Sequence, residues 1–257
     1  MRRIDVFALD FDGVLCDSAA ENAVAAWRAG AYLWSQCQGV EPPADYQRRF
    51  IKLRPLIETG YQTILLLGLI VKGLSDQTIA ERFPELCQSL LQEIGHSRAQ
   101  LAQWFGQVRD EWIARDLGDW LGRHRCYPVI ETFAEKFKTE PMFILTTKQE
   151  RFAKALLNGR GIAFPENRIF GLDTGKKKED ILEQLLKHPE YQNATWHFVE
   201  DRLATLLRVA QRDSLKPVRL YLADWGYNTA LDRENARRHP AITVWSPERF
   251  LAVQSDR

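Results

Sequence analysis

The sequence predicts an α/β fold in which a parallel β-sheet is covered by helices on both faces and interrupted by one long, all-helical insertion. Three observations support this prediction. A short apolar run at residues 6–9 is followed at once by acids, as at the end of a buried strand. From residue 128 onward, short apolar runs alternate with stretches of helical periodicity. Between these regions, residues 18–127 show helical spacing and no confident strand.

Composition and charge are ordinary for a soluble globular protein and exclude some classes of partner. The chain has 257 residues, of which 45% are hydrophobic and 27% charged, and its formal net charge is +1. A charge this small produces no broad field that would attract nucleic acid or a membrane surface. The longest apolar run, residues 64–71, is too short to span a bilayer. We therefore expect no nucleic-acid partner, no membrane association and a cytoplasmic location.

The cysteines and the N-terminal residues are consistent with that expectation. The chain has four cysteines: Cys16, Cys37, Cys87 and Cys126. They form no Cys-x-x-Cys pair and no zinc-binding spacing, so we expect reduced, mostly buried thiols. Arg2 and Arg3 precede an apolar run that is too short, and too soon broken by acids, for a signal peptide.

The first strand ends on two carboxylates that are separated by a single residue. Asp10 and Asp12 follow residues 6–9, and Gly13 then allows the chain to turn sharply away. Two carboxylates this close repel each other and are costly beside a buried strand. A hard divalent cation such as Mg²⁺ would offset that cost, because it prefers oxygen ligands. The alternative is a strand that ends in a solvated Asp-x-Asp-Gly turn.

The insertion is predicted to consist of helices. Ser18 and Glu21 have the spacing of a capping box, which would open a first helix that ends before Gly39. Further helices are expected over residues 46–50, 55–72, 76–94 with a break near Pro84, and 98–122.

The C-terminal half is predicted to alternate between strands and helices. Strands are expected at residues 141–146, 168–171, 195–199, 218–223 and 242–245. Helices are expected at residues 128–138, 150–157, 179–187, 203–212, 228–237 and 247–253.

The polar residues that close these strands form one chemical set. In a parallel sheet the ligand site lies outside the carboxyl ends of the strands, so these residues should meet there. They are Asp10 and Asp12, Thr146 and Thr147, and Glu200 and Asp201. Together they could supply an attacking acid, a second acid to protonate a leaving group, a hydroxyl for a phosphate and ligands for a metal.

The first of these stretches resembles a known family motif. DFDGVLCDS, at positions 10–18, is similar to the first motif of the haloacid dehalogenase (HAD) superfamily. The resemblance implies a Rossmann-like parallel-sheet core, with Asp10 as the nucleophile and Asp12 as the general acid/base. An insertion directly after this motif has the position of the helical, C1-type cap. The implied domains are residues 1–16 with 127–257 for the core and residues 17–126 for the cap.

Two further motifs resemble those that bind phosphate in the family. Thr146 follows the apolar residues 143–145 as in the second HAD motif, and Thr147 and Lys148 resemble the usual continuation of that motif. The resemblance implies phosphate contacts from Thr146, and we expect Thr147 and Gly13 to contribute to substrate binding. The expected lysine is one of Lys176, Lys177 and Lys178; the acid and aliphatic pair that follow Lys178 favour it. The alternative is a solvated, basic start of a helix.

The acidic pair at the end of the fourth predicted strand resembles the Glu-Asp form of the fourth HAD motif. The resemblance implies that Glu200 and Asp201 help to bind Mg²⁺ together with Asp10 and Asp12. The commoner form of the motif carries a second aspartate four residues later, where this chain has Thr205. This departure leaves open which of the two acids contacts the metal directly. The alternative is a pair of acids that cap the next helix.

The insertion would choose the substrate by closing over the strand ends. Arg54 is the candidate for a second anionic group on the substrate, because a guanidinium suits phosphate or carboxylate. The alternative is an exposed arginine at a helix start, and Arg49 and Lys52 compete for the role.

These features predict a Mg²⁺-dependent phosphatase that hydrolyses a small phosphorylated metabolite through an aspartyl-phosphate, resembling phosphoglycolate phosphatase. A phosphomutase resembling beta-phosphoglucomutase, which shares the Glu-Asp motif, and a non-catalytic binding protein of the same fold remain alternatives. Asp12 argues against a dehalogenase, since dehalogenases of the superfamily lack this second acid. The chain could be a monomer or a homodimer.

Overall fold

The computed structural model describes residues 4–255, with side chains as far as residue 252. Arg2, Arg3 and the ends of the expected core at residues 1 and 257 lie outside these residues. The described chain divides into two compact units. Residues 4–17 and 126–255 form an α/β unit, and residues 18–125 form a helical unit.

The strands of the described residues are short, and most of their residues are buried. In chain order they are β1 (Asp5–Leu9), β2 (Cys16–Asp17), β3 (Arg125–Cys126), β4 (Met142–Leu145), β5 (Ile169–Phe170), β6 (Thr195–Glu200), β7 (Arg219–Ala223) and β8 (Ile242–Trp245).

Helices account for most of the remaining chain. They are α1 (Ala19–Gly30), α2 (Ala44–Leu53), α3 (Tyr61–Val71), α4 (Asp76–Ile94), α5 (Arg98–Arg115), α6 (Leu117–Gly122), α7 (Val129–Lys136), α8 (Glu150–Gly159), α9 (Lys178–Leu186), α10 (Leu203–Ala210), α11 (Ala230–Arg238) and α12 (Pro247–Ser255).

The predicted α/β fold is confirmed. Within residues 4–255, six strands form a parallel sheet in the order β5-β4-β1-β6-β7-β8. The chain reverses its direction of travel across the sheet on the two sides of β1, which is the place where such sheets bind ligands. Leu9 lies opposite Ile144 on one side and Val199 on the other, so β1, β4 and β6 end together.

The core of the α/β unit explains why these strands form. Apolar side chains of β1, β4, β6 and β7 pack with α9 and α10 into one buried cluster. Val6, Ala8 and Phe198 have no exposed surface, as expected for strands that helices cover on both faces. Polar groups are therefore displaced to the ends of the strands, where the side chains that could do chemistry lie.

Three local predictions were wrong. The pair β2 and β3 was not expected, and β3 lies in a region that was predicted to contain no strand. Pro55 lies in a 3-10 turn, Arg54–Leu56, so the next helix starts only at Tyr61. The predicted last helix of the insertion is two helices, because Asp116 leaves the helical conformation and its side chain caps the second. The predicted break near Pro84 is confirmed: α4 is kinked at Arg82, whose backbone leaves the helical conformation.

The helical unit is organised around α1, which contacts α2, α3 and α5. The predicted capping box at its start is also wrong, since the Ser18 side chain makes no cap hydrogen bond. Glu21 is instead fully buried and accepts two hydrogen bonds of 2.7 Å from Arg109. Among residues 4–255, no helix combines the length and the hydropathy that crossing a bilayer requires.

Candidate active site

Asp10 is the first residue beyond β1, and its carboxylate is held at both oxygens. Its backbone N–H donates to the carbonyl of Val199 at 2.9 Å, which continues the ladder between β1 and β6. Oδ1 accepts the N–H of Phe11 at 2.7 Å, and Oδ2 lies 2.9 Å from Nζ of Lys178. Burial, reinforced by the charge of Glu200 and opposed by Lys178, raises the pKa of Asp10 to about 7. The positive charge of Lys178 alone therefore does not offset the cost of burying an ionised Asp10.

Lys178 is the one lysine of the basic triplet that reaches the acids. Its side chain is buried at the first turn of α9, and Nζ lies 2.7 Å from Oε2 of Glu200 as well as 2.9 Å from Asp10. Lys176 and Lys177 are exposed. Burial by itself would lower the pKa of Lys178, but the charges of Asp10 and Glu200 outweigh it and raise the pKa. Lys178 is thus a permanent cation between two carboxylates.

Glu200 and Asp201 end β6 in different environments. One carboxylate oxygen of Glu200 accepts a hydrogen bond from Lys178, and the other accepts the N–H of Arg202 at 3.0 Å. Asp201 accepts the N–H of Tyr227 at Oδ2, at 2.7 Å, whereas Oδ1 is buried and has no hydrogen-bond donor among the described residues. Burial is the main cause that raises the pKa of both acids. The unsatisfied Oδ1 is the kind of atom that a cation would satisfy.

Three carboxylates converge closely enough to hold one metal ion. One oxygen each from Asp10, Glu200 and Asp201 lies within 4.8 Å of the other two, and all three side chains are buried. Because carboxylate oxygens are hard ligands and Lys178 supplies only one positive charge, the set fits a divalent cation such as Mg²⁺. The carboxylate of Asp12 does not belong to this cluster.

The Asp12 carboxylate pairs instead with Lys148, a residue of the second motif to which the sequence analysis gave no separate role. Oδ2 of Asp12 lies 3.2 Å from Nζ of Lys148, and the Lys148 side chain is almost completely buried. Lys148 follows Thr146 and Thr147 at the end of β4. Its position two residues after Thr146 is the signal that could have identified it.

The two threonines of this segment differ in their surroundings. Thr146 is buried, continues the sheet by donating its N–H to Phe170, and accepts the N–H of Lys148 at its hydroxyl oxygen, at 3.1 Å. That bond leaves the hydroxyl proton of Thr146 available to an acceptor such as a phosphate oxygen. Thr147 is exposed.

Position 13 requires a glycine. Its φ of +89° is one that side chains rarely adopt, and a Cβ at this position would overlap the carboxylate of Asp201. A Cβ on Gly226 would overlap Asp201 as well. Asp201 is therefore enclosed by two glycines that come from distant parts of the chain.

The loop after β7 also holds Asp201 in place. Besides the N–H of Tyr227, Nδ2 of Asn228 donates to the Asp201 carbonyl at 3.1 Å and to the Ala223 carbonyl at 2.8 Å. The sequence signal for this loop is the segment 224–227, which directly follows a strand of the parallel sheet, as loops at such sites do.

Two other residues have local partners. Arg54 is buried within the helical unit, where Nη1 donates to the carbonyl of Ile57 at 3.0 Å, so the alternative of an exposed arginine is wrong. Its contact with substrate stays a prediction. Thr205, at the place of the commoner second aspartate, is buried and accepts a hydrogen bond from Arg208 at 3.1 Å.

Solved structures with the same fold include proteins that are described as phosphatases or hydrolases. A predicted phosphatase from Clostridium acetobutylicum matches with a TM-score of 0.58 and 16% identity, covering 99% of this chain and 98% of that one. A haloacid dehalogenase-like hydrolase from Streptococcus pneumoniae matches with a TM-score of 0.55 and 17% identity, covering 97% and 98%. A predicted phosphoglycolate phosphatase from Haemophilus somnus matches with a TM-score of 0.55 and 13% identity, covering 91% and 92%.

These likenesses extend over nearly the whole chain. No protein-family model and no curated protein matches the sequence. At identities of 13–17% the likeness concerns the fold, and the chain has the fold of the haloacid dehalogenase-like hydrolases. The resemblance that was seen in the sequence motifs is thereby supported by the whole architecture.

Proposed function

We propose that this protein is a Mg²⁺-dependent phosphatase that hydrolyses a small phosphorylated metabolite through a phosphorylated Asp10. The observation that carries the proposal is the convergence of one carboxylate oxygen each from Asp10, Glu200 and Asp201 to within 4.8 Å of one another, with Lys178 bridging Asp10 and Glu200. Such a set suits a phosphoryl group, which needs a nucleophile beside positive charge.

Mg²⁺ would be held by Asp10 and Asp201, with Glu200 close by. Asp201 is the better direct ligand because its Oδ1 is buried without a donor, whereas both oxygens of Glu200 are already engaged. A bound Mg²⁺ would neutralise the charge of the phosphate and of the attacking carboxylate. Asp12 was expected in the ligand set too; because its carboxylate lies outside the cluster of three acids, we assign it to proton transfer.

The residues of the chain can then divide the reaction between them. Asp10 attacks phosphorus with one carboxylate oxygen, while Asp12 gives a proton to the leaving oxygen of the substrate. Asp12 then takes a proton from the water that hydrolyses the aspartyl-phosphate. Lys178 offsets the charge of Asp10 and of the phosphate, and the hydroxyl of Thr146 donates to a phosphate oxygen.

The remaining expectations belong to the same proposal. Gly13 and Thr147 would lie beside the phosphate, and Arg54 would bind a second anionic group of the substrate. The helical segment 17–126 would act as the cap, with residues 1–16 and 127–257 as the core. The neighbours described as phosphatases, among them a phosphoglycolate phosphatase, favour a small phosphorylated substrate.

The decisive experiment measures phosphate release from p-nitrophenyl phosphate and from a panel of phosphorylated metabolites that includes phosphoglycolate. We expect turnover with Mg²⁺, none with EDTA, and none with Asp10→Asn. Asp213→Asn is the matched control, because it makes the same chemical change at a side chain that is 92% exposed. A wild-type protein that turns over and is phosphorylated on a residue other than Asp10 would contradict the mechanism.

Two outcomes would favour the alternatives. Turnover that requires a bisphosphate activator would indicate a phosphomutase. No turnover with any phosphorylated compound, in a protein that binds Mg²⁺, would indicate a non-catalytic binding protein.

A further inference from the structure

Two cysteine side chains face each other at the point where the α/β unit is interrupted by the helical insertion. Cys16 lies in β2 and Cys126 in β3, and their Sγ atoms are 3.9 Å apart although the residues are 110 positions apart in the sequence. The chain leaves the α/β unit after residue 17 and returns to it at residue 126. Both sulfurs belong to the α/β unit, one at each end of the insertion.

We propose that Cys16 and Cys126 are a modification site, at which a low-molecular-weight disulfide such as oxidised glutathione reversibly converts the two thiols into a disulfide bond. The distance carries the proposal, because rotation of the two short side chains can bring sulfurs 3.9 Å apart within bonding distance. All four cysteines of the chain are free thiols in the structure, so the bond would be a second state of the protein.

The two thiols differ in the way that disulfide exchange requires. Cys126 is half-buried and Cys16 is fully buried, so a small oxidant reaches Cys126 first. The hydrogen bond from the Cys16 thiol lowers the pKa of Cys126 to about 7; burial opposes this effect and the charge of Arg160 supports it. Cys126 is therefore suited to attack. The same hydrogen bond, followed by burial, raises the pKa of Cys16. Cys16 resolves the product because its sulfur lies next to that of Cys126, and the hydrogen bond to the Cys126 thiolate no longer exists once Cys126 is bonded to glutathione.

The exchange is balanced with oxidised glutathione as the oxidant. The Cys126 thiolate attacks one sulfur of glutathione disulfide, breaks its S–S bond and releases one glutathione thiolate, which takes up a proton. Cys16 then gives its proton to solvent and attacks Sγ of Cys126, which forms the protein disulfide and releases the second glutathione. The two protein thiols lose two electrons, and glutathione disulfide gains them.

The bond would constrain both ends of the insertion and the loop that carries Asp12. The carbonyl of Cys16 accepts the N–H of Gly13 at 2.8 Å, and its N–H donates to the carbonyl of Phe11 at 3.0 Å. A disulfide would also close a loop of 110 positions and so restrict the unfolded chain. We expect the oxidised protein to unfold at a higher temperature than the reduced protein.

The experiment treats the whole, reduced protein with oxidised glutathione, alkylates the remaining thiols under denaturing conditions, and maps the peptides by mass spectrometry. We expect a linked peptide that contains Cys16 and Cys126, loss of two of the four alkylated thiols, and reversal by dithiothreitol. Cys37 and Cys87 should stay reduced, because burial raises the pKa of Cys37 to about 11 and of Cys87 to about 12.

Variants assign the bond. Cys126→Ser should show neither the linked peptide nor the rise in unfolding temperature on oxidation, whereas Cys87→Ser, the matched control in the helical unit, should retain both. Three results would overturn the proposal: four free thiols after treatment, a glutathione adduct on Cys126 beside a free Cys16, or a linkage that involves Cys37 or Cys87. None of these readouts depends on phosphatase activity, so the proposed function and this site can fail separately.

Discussion

The burial of Asp10 predicts how the metal-free protein responds to pH, and Asp10→Asn tests it. The pKa of this carboxyl rises from its ordinary 3.8 to about 7, chiefly because of burial. The folded state therefore binds the proton more tightly than the unfolded chain does, and ionisation of Asp10 destabilises the fold as pH rises through this range. At ~1.4 kcal/mol for each pH unit, the rise in pKa corresponds to about 4 kcal/mol of lost stability above pH 7.

The substitution removes this contribution because an amide does not ionise. We would measure the free energy of unfolding by urea titration in EDTA at a series of pH values from about 5 to about 8. Over this range the stability of Asp10→Asn relative to the wild type should increase as pH rises, by at most about 3 kcal/mol, because only about two of the pH units below a pKa of about 7 are sampled, and the increase should level off above pH 7. The substitution also removes the ion pair with Lys178, which shifts the free energy of unfolding of the variant at every pH. The test is therefore how the difference from the wild type changes with pH, and not its size at any one pH.

A matched substitution and the metal complete the test. Asp213→Asn changes an aspartate whose side chain is 92% exposed and should leave the pH dependence of the wild type unchanged. Mg²⁺ should flatten the dependence in the wild type, since it favours the ionised carboxylate. The reasoning would be refuted if Asp10→Asn differed from the wild type by the same amount at every pH, or if the variant lost stability relative to the wild type as pH rose.

The remaining predictions concern turnover and binding. Asp12→Ala should lower kcat by about 10²–10⁴-fold while vanadate still binds, as measured by calorimetry; equal kcat would rule out its role as acid. Lys178→Met should abolish turnover and lower the free energy of unfolding in EDTA by roughly 3–5 kcal/mol, whereas the exposed neighbour in Lys177→Met should have little effect. Gly13→Ala should lower kcat about 10²-fold by displacing Asp201 by ~1 Å, and an unchanged Mg²⁺ affinity would argue against that cause. Binding of inorganic phosphate should require Mg²⁺, and calorimetry without the ion would contradict this if it gave the same affinity.

The positions of Asp10, Lys178 and Asp201 could be anticipated because each depends on a local pattern. An apolar run of four to six residues followed by acids is read from adjacent positions, and the geometry of a parallel sheet then brings the strand ends together. Lys178 needed one more observation, since all three lysines of the triplet precede the same helix. Only the buried side chain distinguishes it from its exposed neighbours.

Other features depend on contacts between distant parts of the chain and left no local signal. Ser18 and Glu21 have the spacing of a capping box, yet Glu21 is paired with Arg109, which is 88 positions away. A buried pair of opposite charges outweighs one cap hydrogen bond, because an unpaired buried Glu21 would be far more costly. The same holds for Asn228, whose bond to the Asp201 carbonyl spans 27 positions.

The charges around Asp10 explain why Lys148 is part of the same site as the predicted residues. When all four are ionised, Asp10, Asp12, Glu200 and Asp201 bring four negative charges to the strand ends, and Lys148 and Lys178 supply two positive ones. Two negative charges are left in a buried setting, and a divalent cation is the simplest neutralisation. Without it the site would repel a phosphate dianion, so the proposed requirement for a metal rests on the whole charge set rather than on any one ligand. Lys148 contributes by compensating Asp12 separately, which leaves the cation to the cluster that contains Asp10.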